Sequence, residues 1–178
     1  MRYNAFMRIA ITDVETSGLY ADKHEIVEIG LVVFDDQTFE ILDTMDVKVK
    51  PEHPEDFDPK ALQVNGYNEE DWKDSIPLPD AMKVFIEKTE GCMFCAHNMI
   101  FDFGFIEQAL KKSGLENKFD KHRIDIFTLA WSKIPHNKMT KWSLKTICEY
   151  LQIPPEPAVH RGINGAMVEY EVYKKLMQ

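Results

Sequence analysis

Asp13 and Glu15 stand two residues apart at the end of the first apolar run, in Asp13-Val14-Glu15-Thr16-Ser17-Gly18. On a strand, that spacing turns both side chains to one side. Two carboxylates so placed can hold hard divalent cations such as Mg²⁺ or Mn²⁺, which prefer oxygen ligands. A lone Asp-x-Glu is more often only a charged strand end. Thr16-Ser17-Gly18 adds small hydrogen-bonding groups and a tight turn, which suit close approach by a sugar or phosphate. A third carboxylate, Asp102, closes His97-Asn98-Met99-Ile100-Phe101-Asp102, where a buried strand gives way to a helix. Such a junction favours anions and ligands, although Asn98 could serve only as the helix cap. His160 follows Pro154-Pro155-Glu156-Pro157, on a loop ahead of the last helix. A loop histidine near carboxylates can take a proton from water; by default it is a solvated side chain.

The elements that must position these groups are readable from the pattern. Strands are expected over residues 9–12, 26–34 and 43–49, joined closely enough for an antiparallel meander. Residues 51–79 are polar and Pro-bearing, with short helices expected near 59–64 and 69–73. Helical periodicity follows over 78–88, then a buried strand over 92–96 and a helix over 101–112 ended by Ser113-Gly114. A short strand over 122–125 leads into helices over 126–133, 142–151 and 163–176. Three strands followed by β-α units predict an α/β fold with a mixed sheet and helices on both faces.

A chain of 178 residues with 44% hydrophobic content fits one globular domain, 1–178. No apolar run approaches a membrane span, and residues 1–7 lack the pattern of a signal peptide. Three cysteines make an odd count, so core thiols and a cytoplasmic location are expected. The net charge of −9 argues against nonspecific wrapping of long duplex nucleic acid. It leaves room for an enzyme that grips a few nucleotides through metal ions.

Taken together, these segments resemble the DEDD-type 3′–5′ exonucleases of the histidine subgroup, which include the proofreading subunit of bacterial DNA polymerase III and ribonuclease T. Asp13 to Leu19, with Glu28-Ile29-Gly30 downstream, resembles the first family motif. His97 to Asp102 resembles the second, and His160-Arg161-Gly162-Ile163-Asn164-Gly165-Ala166 the third. The segment Arg123-Ile124-Asp125-Ile126 is similar to the strand-to-helix stretch between motifs. Three motifs in order are a strong signal where each alone is weak. The resemblance implies an RNase H-like fold and two Mg²⁺ or Mn²⁺ ions held near Asp13, Glu15 and Asp102. It implies that His160 activates the attacking water, that Val14 and Thr16 meet the terminal 3′ hydroxyl, and that Leu19 wedges against the last base. His97, Asn98 and Phe101 join the expected substrate-binding residues. The implied partner is a single-stranded nucleic-acid 3′ end, with a DNA polymerase as a candidate protein partner.

One position departs from the pattern. The family places an aspartate five residues after the histidine as the fourth metal ligand, and here that residue is Gly165. Either the site is weakened, leaving a silent nucleic-acid-binding or polymerase-associated module, or another group compensates, or the motif aligns differently here, where the nearby acids are Glu156 and Glu169. Glu169 is the candidate substitute, four residues on and about 40° around the helix; the plainer expectation is a solvated helix residue. An aspartate restored at 165 is expected to be tolerated. Residues 133–145 carry four lysines and no acid, which suits phosphate contact or a solvated loop alike.

Overall fold

The computed structural model describes residues 7–178. Apart from Met7, the N-terminal segment read above as lacking a signal-peptide pattern lies outside the described residues. Five strands, β1 (Arg8–Thr16), β2 (Ile26–Asp35), β3 (Ile41–Lys48), β4 (Met93–Ala96) and β5 (Arg123–Asp125), form one sheet of order β3-β2-β1-β4-β5. The first three pair antiparallel; β1–β4 and β4–β5 pair parallel. The helices are α1 (Pro59–Asn65), α2 (Leu78–Thr89), α3 (Met99–Lys112), α4 (Ile126–Lys133), α5 (Leu144–Leu151) and α6 (Gly162–Met177). The mixed sheet with helices on both faces is the RNase H-like arrangement expected. Among the described residues, no helix is long and apolar enough to cross a membrane.

The central strand shows how the layers form. Along β1, Ile9 and Ile11 enter a core built with α4, α5 and α6, while Ala10 and Val14 enter one built with α2 and α3. A strand buried on both faces has no need of polar alternation, and β2 is accordingly apolar almost throughout. The three cysteines are free and buried, as expected of core thiols.

β1 runs to Thr16, well past residues 9–12. Its pairing with β2 continues through the motif, with Asp13 opposite Gly30, Val14 opposite Ile29 and Glu15 opposite Glu28. The two acids are therefore held inside a paired strand. The helix expected over 69–73 is absent: residues 69–74 form turns. There Asn68 accepts from the Asp71 amide at 2.9 Å, and the buried Trp72 donates its indole N–H to the Val27 carbonyl at 2.8 Å. That side chain–backbone bonding competes with a helical ladder. Short helices begin on side-chain caps. Asp58 accepts from the Lys60 amide, Asp125 from Thr128 and Ser143 from Thr146.

The start of α6 lies against the sheet at glycine. A Cβ added to Gly30 would overlap the backbone of Gly162 and Ile163. Two glycines thus let the helix N-terminus reach β2 directly across from Asp13.

Candidate active site

Strand alternation sends Asp13 and Glu15 toward the face that α6 covers. Asp102, in the first turn of α3, approaches from the other side and accepts a hydrogen bond from the Val14 amide at 3.1 Å. That bond crosses 88 residues of sequence and clamps α3 to the acidic stretch of β1. Glu15 and Asp102 are buried, at 7% and 3% exposure.

The loop before α6 brings His160 over the same strand. Its Nδ1 lies 3.2 Å from Glu156 Oε2, and its backbone amide donates to the Val64 carbonyl at 3.0 Å. Glu156 also accepts from the Arg161 amide at 3.1 Å. Glu15, Glu156 and His160 each offer a ligand atom within 4.8 Å of the others. Asp13, Glu15 and Asp102 are not gathered so tightly among the described residues. Glu156 had little signal in sequence, since only its place four residues before His160 distinguishes it. A second such group, Glu25, Glu52 and His53, lies on the surface. There Glu25 is already occupied by the amides of Glu52 and His53.

A cleft of about 300 Å³ opens between β1 and α1. Asp13, Val14, Glu15, Thr16 and His160 line one part of it. Leu19, 69% exposed, and Phe101 stand at another. The α1 wall, with Asp58, Lys60, Val64 and Asn65, was not foreseen from sequence. Asn65 is tied to the motif through its side-chain amide, which donates to the Thr16 carbonyl at 3.0 Å. Asn98 lies outside this cleft, beside Leu19 and Phe101 in a neighbouring groove. It adopts a left-handed backbone, φ 60°, and its side chain caps nothing. The capping role passes to Asp125, whose Oδ2 accepts from the Met99 amide at 2.9 Å. Burial pushes Asp125 up, but its hydrogen bonds from Thr128 and Met99 outweigh that and hold it low, as suits a structural carboxylate. His97 is half-buried at this junction, where burial lowers its proton affinity against the pull of Asp125.

The carboxylates crowd one another, and the pull of Arg161 on Glu15 offsets only part of this. Burial first, then the charges of Asp102, Glu169, Glu15 and Glu156, raises Asp13 well above the ordinary carboxylate range. Burial, then Glu156, Glu28 and Asp102, pushes Glu15 up to about 8. Burial lifts Asp102 to about 7 against the Val14 hydrogen bond.

Position 165 corrects one expectation. A Cβ built on Gly165 would overlap the Asp13 carboxylate, so an aspartate there is not freely accommodated. Glu169 corrects another. It is 2% exposed, not solvated, and faces the same carboxylates from within α6.

A profile of the exonuclease family named for RNase T matches residues 10–173. The chain is 28% identical over 170 residues to the PolC-type DNA polymerase III of Caldanaerobacter subterraneus, covering 94% of this chain and 11% of that protein. It is 26% identical over 172 residues to the DNA polymerase III epsilon subunit of Haemophilus influenzae, covering 93% and 64%. The chain thus spans about a tenth of the PolC-type relative and just under two thirds of the epsilon subunit. Among solved structures, the nuclease domain of 3′hExo, a DEDDh family member bound to rAMP, superposes with a TM-score of 0.73 at 20% identity, covering 95% of this chain and 90% of that one. Escherichia coli exonuclease I in complex with a dT13 oligonucleotide gives 0.78 at 12% identity, covering 96% and 40%.

Proposed function

From the premise that this chain belongs to the exonuclease family named for RNase T, we propose that it removes nucleotides from single-stranded nucleic-acid 3′ ends by metal-dependent hydrolysis. The convergence of Asp13, Glu15, Asp102 and His160 at one end of β1 carries this reading. The bound oligonucleotide of exonuclease I and the nucleotide of 3′hExo support the substrate class. The similarity to polymerase III proteins makes a DNA polymerase the proposed partner.

Divalent-metal dependence fits the donor set. Buried carboxylates that repel one another are relieved by bound divalent cations in place of protons. Asp13, Glu15 and Asp102 would hold two Mg²⁺ or Mn²⁺ ions. Such ions, when bound, lower the pKa of water and offset charge on the leaving oxygen. The protein's own groups do the rest. Glu156, against Nδ1 of His160, fixes the tautomer that leaves Nε2 free to accept a proton from water. Val14 and Thr16 floor the cleft beneath the terminal sugar. Leu19 and Phe101 offer apolar surface to its base, and Lys60 a cation to phosphate. His97 and Asn98 support the α3 end of the site. Lys145 lines a groove shared with Glu156 and His160, a path for upstream phosphates.

The test is Mn²⁺-dependent digestion of 3′-labelled and 5′-labelled single-stranded oligonucleotides. Immediate release of 3′ label as mononucleotide, with stepwise shortening of the 5′-labelled strand, is expected. Oligonucleotide binding without cleavage at any Mn²⁺ concentration would instead establish the silent binding module.

A further inference from the structure

We infer that Glu169 supplies the carboxylate that Gly165 lacks, one helical turn further along α6. This rests on the two-cation reading of Asp13, Glu15 and Asp102.

Two independent features of the structure meet here. The first is the burial of Glu169. Its side chain is enclosed at 2% exposure, and Oε2 has no hydrogen-bond partner. A buried carboxylate oxygen left without a partner is expensive unless a cation or proton joins it. The groups that act on it include the carboxylates of Asp102, Asp13 and Glu156, with the His97 backbone as a hydrogen-bonding partner. Glu169 therefore borders the acidic site from within the packed face of α6.

The second is the space at Gly165. The side chain of Asp13 fills the volume that a Cβ at 165 would occupy. An aspartate at 165 would therefore require the Asp13 carboxylate to turn aside. A residue four positions later lies on nearly the same helix face, about 6 Å along the axis. Helical side chains lean toward the N-terminus, so the longer arm of Glu169 reaches back toward Gly165 and the Asp13 carboxylate beside it. Clearing 165 and placing a glutamate at 169 are two halves of one relocation.

Mn²⁺ titration of the purified full chain without nucleic acid, followed by electron paramagnetic resonance of free Mn²⁺, tests this. Glu169→Gln keeps the shape and removes the charge. It should weaken Mn²⁺ binding at least about tenfold and raise resistance to urea at pH 8 in EDTA. Glu169→Asp, which shortens the arm by one methylene, should weaken binding with the fold retained by circular dichroism, and it serves if the glutamine variant does not fold. Asp13→Asn is the reference. If it weakens Mn²⁺ binding while both Glu169 variants bind as the natural chain does, Glu169 is not a ligand and the two-cation reading survives. If Asp13→Asn and Glu15→Gln also leave Mn²⁺ binding unchanged, both readings fall.

Discussion

The carboxylate of Asp13 occupies the place beside α6 that any side chain at Gly165 would need. The glycine is thus part of how Asp13 is seated. Gly165→Ala should destabilise the protein by about 1–3 kcal/mol, as overpacking does, despite the roughly 1 kcal/mol that alanine gains over glycine in a helix. Gly104 in α3 is the control, because a Cβ there meets nothing within 4 Å. Gly104→Ala should be neutral or stabilising by up to about 1 kcal/mol. Urea unfolding of both variants checks the contrast, and equal effects would contradict this placement of Asp13.

The crowded acids predict an unusual pH dependence for the metal-free protein. Glu15 and Asp102 are pushed up to about 8 and about 7, and Asp13 and Glu169 well above the usual range. Unfolded carboxylates titrate near about 4. Between those values the folded chain binds more protons, so stability is fullest at low pH within this window and declines as pH rises. His97, whose proton affinity is lowered by burial, works the other way, as one group against these four and the likewise raised Glu28 and Glu156. Urea unfolding in EDTA should lose on the order of a few kcal/mol from pH 5 to pH 8.5. Excess Mn²⁺ at pH 8.5 should restore much of it if the proposed site, assembled only in the folded state, holds the ions. A flat profile in EDTA would mean that the carboxylates are better solvated than the structure indicates.

His160 and Glu156 should separate by kinetics. His160→Ala removes the proposed base and should lower kcat about 10²–10⁴-fold with little change in KM. Glu156→Gln keeps the imidazole but weakens the restraint on Nδ1. A smaller loss, about tenfold, is expected. Single-turnover digestion of a labelled oligonucleotide measures both, and an unchanged rate for His160→Ala would remove it from the mechanism.

Local pattern explains why so much was legible beforehand. β1 and β2 announce themselves because apolar residues fill both of their faces, and Asp13 and Glu15 stand out at the end of the first run because two further motifs follow in order. Asp102 and His160 follow from their motifs. Glu156 was not legible, because its meeting with His160 depends on how a Pro-rich loop folds back over β1. The α1 wall was hidden for a similar reason: the Asn65 bond to Thr16 spans 49 residues. Glu169 was misjudged because burial of one side of α6 is decided by its seat on Gly30, a tertiary contact. The helix over 69–73 failed because Asn68 and Trp72 bond to the backbone and sheet instead.

The clasp around Arg161 yields the last prediction. Its Nη1 donates to the Asn65 carbonyl at 2.5 Å and lies 3.8 Å from Glu28 Oε2, while Glu28 Oε1 accepts from the Gly162 amide at 3.2 Å. One guanidinium thus joins α1, β2 and the start of α6, and the His160 loop is anchored next to it. Burial and Asp46 push Glu28 up to about 7 against the pull of Arg161. Arg161→Met should remove the clasp and leave Glu28 with only the weaker pull of Lys48, at a cost of about 1–3 kcal/mol. The His160 loop should slacken too, so kcat should fall with Mn²⁺ binding nearly unchanged. If the loss of stability comes from the stranded acid, Glu28→Gln should recover part of it in the Arg161→Met background, since a neutral amide still accepts from Gly162. It should not recover kcat, because the tie to Asn65 stays broken. A double-mutant cycle of urea stability and turnover distinguishes the two effects. Recovery of both together would show that the charge on Glu28, not the tie between Arg161 and Asn65, is what positions the loop.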